Sequence, residues 1–267
     1  MSSPASFFHR LSCSTLHVLF PPSCAVCGRT VGEGSRICAG CSAEMEPVRL
    51  AKLNDNVLTR LFAPCGKVVR AASLLRYHPD TLVAQLLTEI KYHRRPQLAL
   101  HLGEWMAGEL APRGMFKDID ALIPLPLTPK RQQERGYNQS ERLACGISRI
   151  TGIPVRTDIV ERISFSISQT RLTGDERRKN VQQAFRPTEA YLQLLSQGKG
   201  LRHPLFIDDV ITTGASLSAL TGAVAPPEFS ILSLALAGHH SLASLSEDEI
   251  QRETSADITR TTVYFDE

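Results

Sequence analysis

The stretch LFIDDVITTGAS (205–216) constrains the fold more than any other part of the chain. Leu205, Phe206 and Ile207 read as a buried strand whose carboxyl end carries Asp208 and Asp209. A polar turn around Gly214 then leads into an apolar helix from Leu217. Strand, turn and helix in that order form half of a βαβ unit, the building block of parallel sheets.

The rest of the chain repeats the alternation. Residues 71–77, 121–127, 153–163 and 229–238 are strand-like, and Pro124 and Pro126 keep 121–127 from being interior strand throughout. A helix over 80–93 aligns Leu82, Val83, Leu86, Leu87 and Ile90, with Asp80 placed to cap it. A second runs from Pro96 to about Leu110, and a third over 140–150 is stopped by Gly152. The stretch TPKRQQERGYNQ (128–139) reads as a polar, basic loop, whose Asn138 and Gln139 either complete its motif or start the next helix. The pattern predicts an α/β fold with a mostly parallel sheet.

A second feature stands apart. In CAVCGRTVGEGSRICAGC, Cys24 and Cys27 form one Cys-x-x-Cys and Cys38 and Cys41 another, with a glycine-rich spacer between. Each knuckle points two thiolates at one tetrahedral ion, and four sulfurs leave no open position for chemistry, so the expectation is one structural zinc. Incidental cysteines or a redox pair are the alternatives, but a redox motif needs no second copy at this distance. Cys13, Cys65 and Cys145 are isolated and read as ordinary thiols.

With 267 residues, 42% of them hydrophobic and 21% charged, the chain has room for a large domain and a small one. The divisions expected are a lead-in and zinc finger over 1–45, a connector over 46–70, the α/β domain over 71–240 and an extension over 241–267. In that extension TTVYF forms either an edge strand or a tail. A net charge of +3 excludes a globally basic nucleic-acid binder, so any basic surface must be local. The run KYHRR (91–95) reads first as a solvated helix end. The longest apolar runs, such as 231–238, are too short for a membrane span. His9, Arg10 and His17 interrupt the apolar N-terminus, so Phe7, Phe8, Leu11, Val18 and Leu19 suit an amphipathic lead-in better than a signal peptide. The expected location is cytoplasmic, in keeping with the paired cysteines.

Open parallel sheets bind ligands at the carboxyl ends of their strands, where Asp208 and Asp209 stand. The segment Thr212-Thr213-Gly214-Ala215-Ser216 adds backbone N–H groups, hydroxyls and the positive end of a helix dipole, which together make a monophosphate cradle. The carboxylates would accept hydrogen bonds from two vicinal hydroxyls or contact magnesium. A ribose 5-phosphate satisfies both halves at once. An Asp pair capping a turn is the plain alternative.

IDDVITTGAS resembles the 5-phosphoribosyl-1-pyrophosphate (PRPP) signature of type I phosphoribosyltransferases. FPPSCAVC with a later CAGC, EIKYHRR, PLPLTPKRQQERGYNQSERLA and SQTRLTGDERRKNVQQAF resemble, in that order, the ComF family. That family includes proteins linked to DNA uptake in naturally competent bacteria and the related GntX proteins. The resemblance covers roughly residues 18–238 and implies a zinc finger followed by a phosphoribosyltransferase-type domain.

It further implies that Asp208 and Asp209 hold the ribose hydroxyls and that Thr212, Thr213, Gly214, Ala215 and Ser216 surround the 5-phosphate. Lys130, Arg131, Arg135 and Gly136 then occupy the loop that receives pyrophosphate with magnesium, and Asp208, Asp209, Lys130 and Arg135 form the catalytic set. Residues 164–180 correspond to a mobile hood, where Arg171, Arg177, Arg178 and Lys179 would neutralise the leaving pyrophosphate unless they form a solvated charged loop. The family's hood opens with two spaced bases and a threonine, whereas here Arg162 is followed by Ser164 and Ser166.

The reaction implied is displacement of pyrophosphate from C1 of PRPP by a nitrogen acceptor, in a protein serving DNA uptake beside competence proteins. No purine, pyrimidine or orotate pocket is declared. Two other readings stay open: a protein that handles single-stranded DNA through bases at 91–95, 130–135 and 177–179 without turnover, and a PRPP-sensing regulator.

Overall fold

In the computed structural model, residues 23–32, 37–163 and 184–237 are described here. The expectations for the N-terminal lead-in, the hood cations Arg171, Arg177, Arg178 and Lys179, and TTVYF all lie outside them.

The main sheet has four strands: β1 (Val68–Tyr77), β2 (Ala121–Pro124), β5 (Pro204–Ile211) and β6 (Phe229–Ala237). Their order is β1-β6-β5-β2 and every neighbouring pair is parallel, as the alternation of elements predicts. Helices cover both faces. On one side α3 (Leu82–Tyr92), α4 (Pro96–Leu110) and α6 (Gln139–Thr151) bury Leu86, Leu102, Met106 and Leu143 against Leu205, Ile207 and Leu232. On the other, α2 (Val57–Phe62), α7 (Glu189–Ser196) and α8 (Ala215–Val224) bury Leu58, Phe62, Tyr191 and Leu220 against Phe206, Phe229 and Ile231. A central strand buried on both faces has to be apolar on both, which is why Leu205-Phe206-Ile207 runs without alternation.

Helices α4 and α6 approach closely. A Cβ built on Gly146 would stand 2.0 Å from Leu100 O, and one on Gly103 would stand 2.1 Å from Leu143 O. Glycine at both positions lets backbone meet backbone and sets the line along which α6 delivers its first turn to the sheet.

A second, two-stranded sheet pairs β3 (Val160–Arg162) with β4 (Phe185–Pro187) antiparallel, at the base of the segment expected to form the hood. Only this short strand and a single bridge from Val155 to Leu122 come from the strand-like stretch 153–163. Bends and the surface pair Arg156–Asp158 break the rest.

Three further boundaries differ from the sequence reading. Thr81 caps α3, with Oγ1 accepting from Ala84 N, while Asp80 occupies a left-handed turn before it. Regular β2 stops at Pro124, because the two prolines remove ladder donors. The stretch 128–139 is not all loop: Pro129–Arg135 forms helix α5, with Thr128 accepting from Arg131 N and left-handed Gly136 closing it. Complete start and stop signals shape that helix, and it buries no residue, so no apolar stripe announces it.

The stretch expected as a connector packs on the main sheet. Pro47 bridges Leu75, Val48 N donates to Leu74 O at 2.9 Å, and Asn56 closes a capping box at the start of α2. No helix among the described residues is long and apolar enough to cross a membrane.

Candidate functional site

The four cysteines converge as expected. The sulfurs of Cys24, Cys27, Cys38 and Cys41 all lie within 4.8 Å of one another, and Cys27 Sγ and Cys38 Sγ are 3.6 Å apart. An ion bonded to four sulfurs at ~2.3 Å sets them about 3.8 Å apart, so the quartet fits zinc. Cys38 also caps α1 (Ala39–Glu44), its sulfur accepting from Cys41 N.

The thiols are electrostatically unequal. Burial opposes ionisation of Cys24, but backbone N–H groups of Cys27, Cys38 and Val26 outweigh it and bring the thiol down to about 6. The Cys41 N–H lowers Cys38, whereas burial and the neighbouring thiols push Cys41 up. Four adjacent sulfurs cannot all ionise without a cation among them, and a bound dication removes that conflict. Ala25, Val26 and Ile37 carry the module onto the main core.

At the other site the acid pair stands at the carboxyl end of β5, Asp209 two residues before its last residue, Ile211. Both aspartates are buried. Asp208 Oδ1 accepts from Ser140 Oγ at 3.1 Å and from Asp209 N at 2.8 Å. Lys91 Nζ stands 3.2 Å from Asp209 Oδ2. Burial, and then the negative Asp209 beside it, push the Asp208 carboxyl up to about 7, against the pull of the Asp209 N–H, Ser140 and Lys91.

After Ile211 the chain turns through exposed Thr212 and Thr213 into left-handed Gly214, with α8 starting at Ala215 rather than Leu217. Thr213 Oγ1 accepts from Ala215 N at 3.4 Å, and no side chain caps the helix. Apart from the Ala215 N–H that Thr213 takes, the first turn keeps its N–H groups and dipole for an anion. Gly214 has φ 75°, and a Cβ there would press on Leu61 and Phe62 at 3.1 Å. Backbone strain and the packed α2 together select glycine.

The cations expected beside the acid pair divide. Arg131 and Asp208 both act electrostatically on Arg162, whose guanidinium lies 5.2 Å over the Phe185 ring and whose pKa burial lowers. Arg162 is thus within electrostatic reach of Asp208, while its guanidinium packs on Phe185. Lys130 is exposed and turned toward Glu134 at 4.0 Å, along its own helix. Arg135 lies 5.6 Å over the Tyr92 ring and donates to Gln139 Oε1 at 2.7 Å. Gly136 is the left-handed end of α5, close to the Arg94 side chain.

Two residues of the site were not anticipated. Lys91, read as part of a solvated helix end, has a side chain only 19% exposed and pairs with Asp209. Ser140, read as an ordinary first helical residue, is buried and donates to Asp208. Asn138 caps α6, its side chain accepting from Ser140 N and donating to Leu125 O, which holds that first turn beside the end of β2. An apolar helix ending in one lysine beside an otherwise unneutralised acid pair was the available signal for Lys91.

Comparison with known proteins adds lineage. A double zinc ribbon domain model matches residues 15–52. A DNA utilization protein YhgH of Escherichia coli K12 is 26% identical over 207 residues, covering 74% of this chain and 81% of that protein. Competence protein F of Haemophilus influenzae is 36% identical over 102 residues, 38% of this chain and 42% of that one. Among solved structures, the allosteric regulatory enzyme of purine biosynthesis aligns with TM-score 0.37 and 18% identity, over 64% of this chain and 37% of its own.

Proposed function

These likenesses support assignment of the chain to the ComF family, and on that premise we propose that it binds PRPP with magnesium at the carboxyl end of β5 and serves DNA uptake or utilization in the cytoplasm. The observation that carries the reading is one continuous segment: buried Asp208 and Asp209, then an exposed Thr212-Thr213 turn, then left-handed Gly214 opening α8. The first two offer acceptors for the ribose 2′ and 3′ hydroxyls. The backbone N–H groups and hydroxyls of 212–216 offer donors for the 5-phosphate, with the helix dipole behind them.

Under turnover, the C1–O bond to pyrophosphate breaks and a bond from C1 to a nitrogen acceptor forms, with the acceptor's proton leaving to solvent. The chain's part is to orient the sugar and hold the departing charge. Arg162 and Lys91 are the cations that interact electrostatically with Asp208. Magnesium, if bound, would supply charge neutralisation on the pyrophosphate, with the carboxylate oxygens of Asp208 and Asp209 the nearest ligands of the kind it prefers. The fit of these residues to the ion is partial, because an ammonium already stands at Asp209.

Calorimetric titration with PRPP and magnesium tests the reading. Wild type should bind, and the double variant Asp208→Asn/Asp209→Asn should lose binding while remaining folded. Unchanged affinity in the variant, or no binding by the zinc-loaded wild type, overturns it.

A second reading, single-stranded DNA handling, has its own support. Tyr92 is 66% exposed with Arg135 over its ring, and His93, Arg94, Arg95, Lys130 and Arg131 lie on the adjoining segments. An exposed aromatic ring among cations is what stacking on bases and tracking phosphates require.

A further inference from the structure

The ion pair between Lys91 and Asp209 joins the last turn of α3 to the end of a central strand. Exposed ion pairs contribute little, but here the side chains are 19% and 10% exposed, so the two groups meet largely out of water. Lys91 is also well placed on its own helix, since a cation in the last turn faces the negative end of the dipole. An ammonium has three donors, and Asp209 takes one of them.

Resting on the sugar-phosphate reading, we infer that Lys91 is the resident cation of the acid pair, and that it lets the ligand-free site accept the vicinal hydroxyls of a ribose phosphate without a divalent ion. Two buried carboxylates side by side need a positive charge before either can accept a hydrogen bond from a sugar at low cost. A divalent ion brought in with the ligand is one source of that charge. Here the Lys91 ammonium is already at 3.2 Å, and Ser140 holds the second carboxylate at 3.1 Å.

Magnesium is thereby freed for the pyrophosphate half of a larger ligand. The acid pair would engage the sugar whether or not the metal is present. A pentose monophosphate lacking pyrophosphate, ribose 5-phosphate, becomes the discriminating ligand, because its recognition should depend on Lys91 and not on magnesium.

The test is calorimetry with ribose 5-phosphate in EDTA and in magnesium, on wild type, Lys91→Met and Lys91→Arg, combined with Mn²⁺ binding to the ligand-free proteins by electron paramagnetic resonance. Wild type should bind the sugar phosphate within about twofold in the two conditions. Lys91→Met should lose tenfold or more in EDTA, recover with magnesium, and gain a Mn²⁺ site absent from wild type. Lys91→Arg keeps the charge and should track wild type.

A Lys91→Met protein that binds equally in EDTA and gains no Mn²⁺ overturns the inference while leaving the sugar site standing. Wild type that binds ribose 5-phosphate only with magnesium overturns it as well. Wild type that binds neither ribose 5-phosphate nor PRPP in either condition overturns the sugar-phosphate reading itself. If Lys91→Met fails to fold, Lys91→Gln with the same two readouts takes its place.

Discussion

Ser140 Oγ lies 3.1 Å from Asp208 Oδ1, joining the first turn of α6 to the end of β5 across the mouth of the sheet. The contact places a neutral donor, not a second cation, against Asp208, the carboxyl that burial pushes up. Asp208 is therefore stabilised as an acceptor yet remains costly to ionise.

That cost has a pH signature. The folded pKa of Asp208 is raised to about 7 by burial and by Asp209, so the folded state binds its proton more tightly than the unfolded chain does. Its contribution to stability is fully present below the ordinary aspartate value near 4 and is lost as pH rises through about 7. Asp208→Asn should then be more stable than wild type at pH 8 by a few degrees in Tm, with the gap closing toward pH 5. Thermal melts across that range decide it, and a gap that widens on acidification would sink the assignment.

The cysteine quartet should hold one zinc per chain. Replacing Cys24 and Cys38 with serine removes two of four ligands and should abolish binding, and a strong chelator should do the same to wild type. Because Ala25, Val26 and Ile37 pack on the main core, metal loss should also lower the Tm of the α/β domain. Metal analysis with melting curves checks both, and full zinc content in the double variant would contradict the ligand set.

Gly214→Ala forces a side chain onto a residue at φ 75° and against Leu61 and Phe62 at 3.1 Å. A cost of roughly 1–3 kcal/mol is expected from the backbone and the clash together. Denaturant melts should register it, and PRPP affinity should fall by more than stability alone explains. A variant as stable as wild type would mean that α2 yields freely there.

For the DNA reading, Tyr92→Ala should weaken single-strand binding by about 1–3 kcal/mol and Tyr92→Phe should spare it. Affinity should drop steeply between low and moderate salt as phosphate counterions are released. Fluorescence anisotropy with a labelled oligonucleotide reads both, and a flat salt response removes this reading.

Much of the molecule was legible as text. Cys24 to Cys41, the two aspartates and the Gly214 turn are short-range arrangements whose spacing carries their geometry. The long amphipathic helices announced themselves through their apolar stripes. Helix α5 was hidden because it buries nothing, leaving only Thr128, Pro129 and Gly136 to mark it. Asp80 lost its capping role to Thr81 because either residue type suits the position and the backbone chose between them.

What the sequence alone determined, then, is the zinc quartet, the parallel α/β plan and the strand-turn-helix at the acid pair, since each follows from neighbours along the chain. It took the folded chain to bring Lys91 to Asp209 and Ser140 to Asp208, and to turn Lys130 toward Glu134 and Arg135 toward Tyr92 and Gln139. Coulomb attraction and desolvation depend on distance through space and on burial, and both are set by the path of the folded chain rather than by the order of its residues.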